Sequence, residues 1–210
     1  MRMNTTEITE NTKSTTDYSG RADPDVRQLT DFSQVETLYK TRLKKDFARN
    51  EIKPLSAMRR LWDKDAYDCY GLFVGDEILG YAFFVRMGKN YLFDYFAIAD
   101  SCRNRGFGSV FLHRLAGCLA DAECAVVEVE DPDMAPDEDS RLLRERRLQF
   151  YLRSGYRKTE LTSVVFGADY RILEIPVAAP HTTEQLRSVY TELYRGIFPP
   201  LIFRTQFRVS

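Results

Sequence analysis

The chain has 210 residues, of which 44% are hydrophobic and 29% charged, a balance that excludes fibrous, collagen-like and wholly disordered classes. Thirty basic residues against thirty-one acidic ones leave a net charge of -1, so the surface as a whole is not that of a polyanion binder. Cys69, Cys102, Cys118 and Cys124 form no C-x-x-C pair and His113 and His181 stand alone, which argues against a disulfide framework, a zinc ribbon or any other metal site.

Residues 1–24 are rich in Thr, Asn, Ser and charge and read as a flexible leader with almost nothing to bury. Structure is expected from about Val26. Ser33 is placed to cap a helix with Val35, Leu38, Tyr39, Leu43 and Phe47 at helical spacing, and Ser56 a shorter one with Met58, Leu61 and Trp62. Strands are predicted at 69–74, 78–87 and 91–98. The short glycine turns between them argue for an antiparallel meander.

A glycine-punctuated loop then leads into a helix with Val110, Phe111, Leu115, Cys118 and Leu119 on one face. A strand at 125–130, an acidic loop and a helix at 141–154 ended by Gly155 follow. Strands at 164–166 and 170–177 close the series around Gly167. Beyond Pro180 a helix at 183–198 carries Leu186, Val189, Tyr190, Leu193, Ile197 and Phe198 on one side, packed on the core as a lid or against a second subunit in a homodimer. Pro199-Pro200 stops it, and 202–209 is expected as a last strand. The order predicts a mixed α/β domain over 25–178 with one antiparallel-to-parallel transition, and an extension over 179–210. With no secretion signal and no apolar run long enough to span a bilayer, the expected location is cytoplasmic.

Chemistry concentrates between residues 95 and 109. Gly106 and Gly108 lack a Cβ, so successive amides at the start of the helix can turn toward an anion, and Arg103 and Arg105 add positive charge. This is a pyrophosphate cradle in physical terms. It is neither a Walker A loop, since no Gly-Lys-Ser/Thr follows, nor a dinucleotide fingerprint, since Phe111 stands where a third glycine belongs.

The string Arg103-x-x-Gly106-x-Gly108 after Phe96-Ala97-Ile98 resembles the acetyl-CoA loop of the GNAT superfamily of N-acetyltransferases. Phe150-Tyr151, followed by Gly155-Tyr156, is similar to that superfamily's late helix. The resemblance covers roughly residues 25–178. It implies a mixed sheet flanked by helices, with acetyl-CoA as co-substrate and transfer to a primary amine by direct attack in a ternary complex. It further implies that amides from Arg105 through Gly106, Phe107 and Gly108 to Ser109 hold the pyrophosphate, with Arg103 in the motif's first position. Strand backbone at Ala97 and Ile98 would pair with the pantetheine arm, and Tyr151 would protonate the leaving thiolate. Arg144 and Arg147 depart from the pattern, standing where many members carry Asn and a small residue.

Amine acylation needs a base. Glu128 and Glu130 alternate with Val127 and Val129 and so share one strand face. Either is a candidate base, with Asp94 on the neighbouring strand third and as a substrate-binding carboxylate; a solvent-facing pair is the plainer reading. Tyr151 is equally read as a packed aromatic. Residues 128–139 hold seven acids and no base, which would attract a cationic amine or simply be neutralised by Arg141, Arg144, Arg146 and Arg147. Trp62 and Tyr67 belong to an acceptor wall or to the core. The leading function is an N-acyltransferase for a small-molecule or peptide amine, without nucleic acid, membrane or metal. A non-catalytic acyl-CoA sensor or interaction module is the alternative, and modification of protein N-termini or lysines a third reading.

Overall fold

The computed structural model describes residues 23–49 and 51–210; the expected leader lies outside the described residues up to Arg21-Ala22. A short strand, β1 (Asp25–Gln28), precedes helix α1 (Phe32–Leu38), whose cap is Asp31 and not Ser33. The Asp31 carboxylate accepts the Ser33 amide at 2.8 Å, and Gln34 Oε1 accepts the Asp31 amide at 3.2 Å, a reciprocal box that satisfies two otherwise orphaned donors. The helix runs on through a wider turn, Tyr39–Leu43, and a final turn, α2 (Lys44–Asp46). Helix α3 (Leu55–Trp62) starts after Pro54, two residues before Ser56, because a proline at the boundary presets φ where no amide is needed.

The meander is β2 (Tyr67–Val74), β3 (Glu77–Met87) and β4 (Asn90–Ile98), paired antiparallel. Then come α4 (Phe107–Cys118), β5 (Cys124–Glu130) and α5 (Glu138–Arg153). Asp137 caps α5 by accepting the Ser140 amide at 2.7 Å, so Glu138 and Asp139 form its first turn, where acids complement the helix dipole. Strands β6 (Arg157–Val165) and β7 (Ala168–Glu174) form a hairpin longer than expected. Helix α6 (Thr183–Ile197) follows the Thr182 cap.

Of residues 202–209, expected as strand, 202–206 belong to helix α7 (Pro200–Gln206), since Pro200 suits a first helical position; only β8 (Phe207–Val209) is extended.

The sheet order is β1-β2-β3-β4-β5-β7-β6-β8, and among the described residues β4 with β5 is its single parallel pair. One core cluster gathers Val35, Met58, Tyr81, Tyr95, Val126 and Leu161 with Leu186 and Tyr190 of α6. The other joins Leu79, Phe93 and Val127 to Phe111 and Leu115 of α4 and Leu148 of α5. Segment 179–210 is therefore built into the first cluster. Burial of Leu186 and Leu193, each 1% exposed, contributes roughly 3–6 kcal/mol, too much for a loosely held lid.

All four cysteines are unbridged thiols. Among the described residues no helix is long and apolar enough to cross a membrane, and no cluster of His, Cys, Asp and Glu is arranged for a metal.

Candidate coenzyme and acceptor site

The parallel pairing of β4 with β5 covers Asn90–Phe93 against Cys124–Val127 and then stops. Beyond it β4 stays bonded to β3, and β5 to β7, so the two strands part like a fork. In β4 the register slips between Phe93, opposite Phe84, and Tyr95, opposite Phe83, which makes Asp94 a bulge residue at the point of divergence. The Ala99 amide bonds the Leu79 carbonyl at 2.7 Å. Antiparallel ladders alternate, so Ala97 opposite Tyr81 also turns its main chain to β3, while Phe96 and Ile98 turn theirs toward the fork. Of the two expected strand positions, Ile98 faces the open side; Phe96, not singled out from sequence, is its companion there, and Ala97 is not.

The open edge runs straight into the loop. Asn104 (φ 60°) and Gly106 (φ 83°) are left-handed, and Gly106 is the N-terminal boundary of α4 without a side-chain cap bond. The first return bond is Val110 N–H to the Gly106 carbonyl, at 3.1 Å. The amides of Gly108 and Ser109 therefore lie in the first turn, where a helix has no carbonyl of its own to offer. A Cβ on Gly106 would meet nothing within 4 Å, so the space beside it is open. Gly108 differs: its Cβ would lie 3.1 Å and 3.3 Å from the Phe150 ring, so this glycine allows α4 to approach α5.

Arg103 is used internally. Its Nε donates to the Ile98 carbonyl at 3.1 Å, and its guanidinium pairs with Asp100 at 2.8 Å and Asp46 at 3.6 Å. The side chain expected on the pyrophosphate thus fastens the loop to the strand end. Arg105 lies against the Phe107 ring at the exposed face of the loop. Diphosphate charge would be met chiefly by the helix start, with Arg105 beside it.

Tyr151 sits on α5 against Phe93, ring centroids 6.5 Å apart, at the last paired residue before the fork. Burial holds its phenol well above the ordinary tyrosine range, with Arg147 opposing, so it carries its proton at any working pH.

The three candidate carboxylates have separate fates. Glu130 is held by Arg144 at 2.9 Å and Arg147 at 2.8 Å, one on each oxygen; those same contacts occupy the two arginines that depart from the family pattern. Glu128 is half-buried, and its Oε1 accepts from the hydroxyls of Tyr190 and Tyr194, the latter at 2.5 Å. Burial raises its pKa, and the two tyrosine donors pull it back. Asp94 accepts from Tyr67 Oη at 2.7 Å and is paired with Lys53. Tyr67 is thereby a polar partner as well as a core ring.

The acidic run is largely neutralised. Arg171 bonds Asp131 at 2.8 Å and also pairs with Asp133, and Arg141 holds Glu138 at 2.7 Å. Tyr190, Tyr194 and Lys53 have no sequence motif; the signal available was chemical, since a half-buried glutamate on β5 calls for donors and two tyrosines four apart on an apolar helix face supply them.

No protein-family model matches this sequence, and no curated protein sequence matches it. Among solved structures the chain is similar to a GNAT-family acetyltransferase from Bacteroides thetaiotaomicron, with a TM-score of 0.62 and 22% identity over 78% of this chain and 92% of that one. It is also similar to the ribosomal-protein-S18-alanine N-acetyltransferase of Escherichia coli (TM-score 0.55, 12% identity, 77% and 98% covered). A third is an aminoglycoside 6'-N-acetyltransferase solved with coenzyme A (TM-score 0.52, 11% identity, 75% and 99% covered). The chain has the fold of the GNAT acetyltransferases.

Proposed function

We propose that this chain is an acetyl-CoA-dependent N-acyltransferase that binds the coenzyme in the β4/β5 fork and delivers the acetyl group to a primary amine. The observation that carries the reading is the continuity of the open β4 edge, at Phe96 and Ile98, with an α4 start that lacks a side-chain cap. An extended amide-bearing arm ending in a diphosphate matches that sequence of donors: strand edge first, helix N-terminus after it. Two fold neighbours act on amines of quite different carriers, a ribosomal protein and an aminoglycoside, which supports an amine acceptor without choosing its carrier.

Acetyl-CoA would supply an activated acyl carbon; the chain's residues do the remainder. Gly106, Gly108 and Ser109 in the first turn bind the diphosphate, with Arg105 near it and Arg103 keeping the turn in place. Phe96 and Ile98 orient the arm along the strand. Asp94 and Glu128 flank the divergence point on the face covered by α6, and two carboxylates there suit a cationic amine. Asp94 docks the ammonium and Glu128, with a raised pKa, accepts a proton from it. Tyr151, protonated and packed on Phe93, is placed to protonate a sulfur leaving in the fork.

Isothermal calorimetry with acetyl-CoA, followed by thiol release across a panel of primary amines, tests the reading. Saturable binding with amine-dependent thiol release is expected. Absence of binding refutes it, and binding without release on any amine leaves a coenzyme-binding module in its place.

A further inference from the structure

Amine capture and coenzyme binding leave one cation among these groups without a task. Lys53 lies in the connection between α2 and α3 with its side chain only 24% exposed, paired with Asp94. The connection is pinned to β4: the Lys53 amide donates to Tyr95 Oη at 2.8 Å, and that hydroxyl donates to the Glu51 carbonyl at 3.0 Å. Asp94 immediately follows Phe93, and Glu128 immediately follows Val127, the last paired residues of the two strands. The Lys53 charge also favours ionised Glu128 across the gap. A primary amine belonging to the chain is therefore held on Asp94, with its charge felt by Glu128, where β4 and β5 separate. Other lysines are different: Lys45 and Lys89 are 71% and 61% exposed and pair with Asp100 and Glu123 at the surface.

Resting on the acyltransfer reading above, we propose that Lys53 is itself an acetyl acceptor, so that the protein acetylates its own Lys53 Nζ from acetyl-CoA. The Lys53 ammonium first gives a proton to Asp94, with which it is already paired. The exposed nitrogen lone pair then forms the new carbon–nitrogen bond as the carbon–sulfur bond breaks, and the electron pair of that bond leaves with sulfur. Of the two protons that nitrogen loses, Asp94 passes one to solvent and the thiolate ends with the other. The products are an amide, CoA thiol and one proton. Acetyl-Lys53 is neutral, which leaves Asp94 with Tyr67 as its partner and open to the ammonium of a second amine.

The test uses the full chain incubated with acetyl-CoA, with every lysine followed by peptide mass spectrometry and coenzyme binding followed by calorimetry. Lys53 is expected to gain its acetyl group at least about tenfold faster than Lys45 or Lys89, at a rate independent of protein concentration, because the held amine reacts intramolecularly. Asp94→Asn is expected to slow Lys53 by at least about tenfold. Bound CoA, which has no acetyl group to give, is expected to shield Lys53 but not Lys89 from an amine-reactive label.

Binding without faster acetylation of Lys53, or without its shielding, overturns the proposal while the acyltransfer reading stands. No binding at all overturns both.

Discussion

Removal of the Tyr194 hydroxyl isolates the bond between the last long helix and the Glu128 carboxylate. In Tyr194→Phe the ring remains stacked on Phe207, with centroids 4.5 Å apart, and the donor to Glu128 at 2.5 Å is lost. A hydrogen bond to a charged group contributes about 1.5–3 kcal/mol. For a domain of this size that corresponds to a fall in Tm of about 3–12 °C. In a Glu128→Gln background the acceptor is neutral, and the same substitution should cost only about 0.5–1.5 kcal/mol.

The pH dependence follows from the direction of the Glu128 shift. Its pKa in the folded protein is above the ordinary 4.5, so its contribution is fully present below that value and is lost as pH rises through the folded pKa. Tyr194 opposes the rise, so without it the folded pKa climbs further and more stability is lost by neutral pH. Urea melts near pH 4.5 and near neutral pH should therefore give a larger Tyr194→Phe penalty at neutral pH. Equal penalties at both, or a neutral-pH penalty below about 0.5 kcal/mol, refute an ionised Glu128 held by α6.

Glu130→Gln is expected to leave thiol release within about twofold of the parent and to cost no more than about 1 kcal/mol, because its partners are partly exposed arginines; a larger loss of turnover would return it to the role of base. Gly106→Ala forces a Cβ onto a left-handed residue at about 1–2 kcal/mol and points it into open space, so calorimetry should show at least tenfold weaker acetyl-CoA binding by a folded protein, on the order of 1.4 kcal/mol. Gly108→Ala should instead lower Tm first, by pressing on Phe150, with binding affected through the α4/α5 spacing. Tyr151→Phe should lower thiol release while acetyl-CoA affinity measured by calorimetry stays the same; unchanged turnover removes it as the acid.

The sequence made the meander legible because Gly75 and Gly88 occupy turn positions with φ of 61° and 59°, and alternation marked the strands between them. The loop was equally legible, since two closely spaced glycines at a strand-to-helix junction are a local signal. Ser33 and Asp31 are both good caps, and only the chain's path chooses between them. Residues 202–206 carry apolar and polar side chains in an order that suits either period, and Pro200 decided for helix.

Register was out of reach altogether. The Asp94 bulge belongs to the pairing of β4 with β3, not to β4, and it is what separates Ala97 from Phe96 and Ile98. Glu128 and Glu130 share a strand face as expected, yet tyrosines from α6 claim one and arginines from α5 the other. Strand alternation says nothing about which helix arrives.

The α6 contacts also bear on synthesis at the ribosome. Until residues 183–209 have emerged, Glu128 has no tyrosine donors, the sheet face that α6 covers stays wet, and the outer edge of β6 at Ser163–Val165 awaits β8. A nascent chain stalled near residue 178 would expose apolar surface and an unpaired strand together, the combination most prone to association with other chains. Holdase chaperones should therefore engage such truncated products far more strongly than the finished protein.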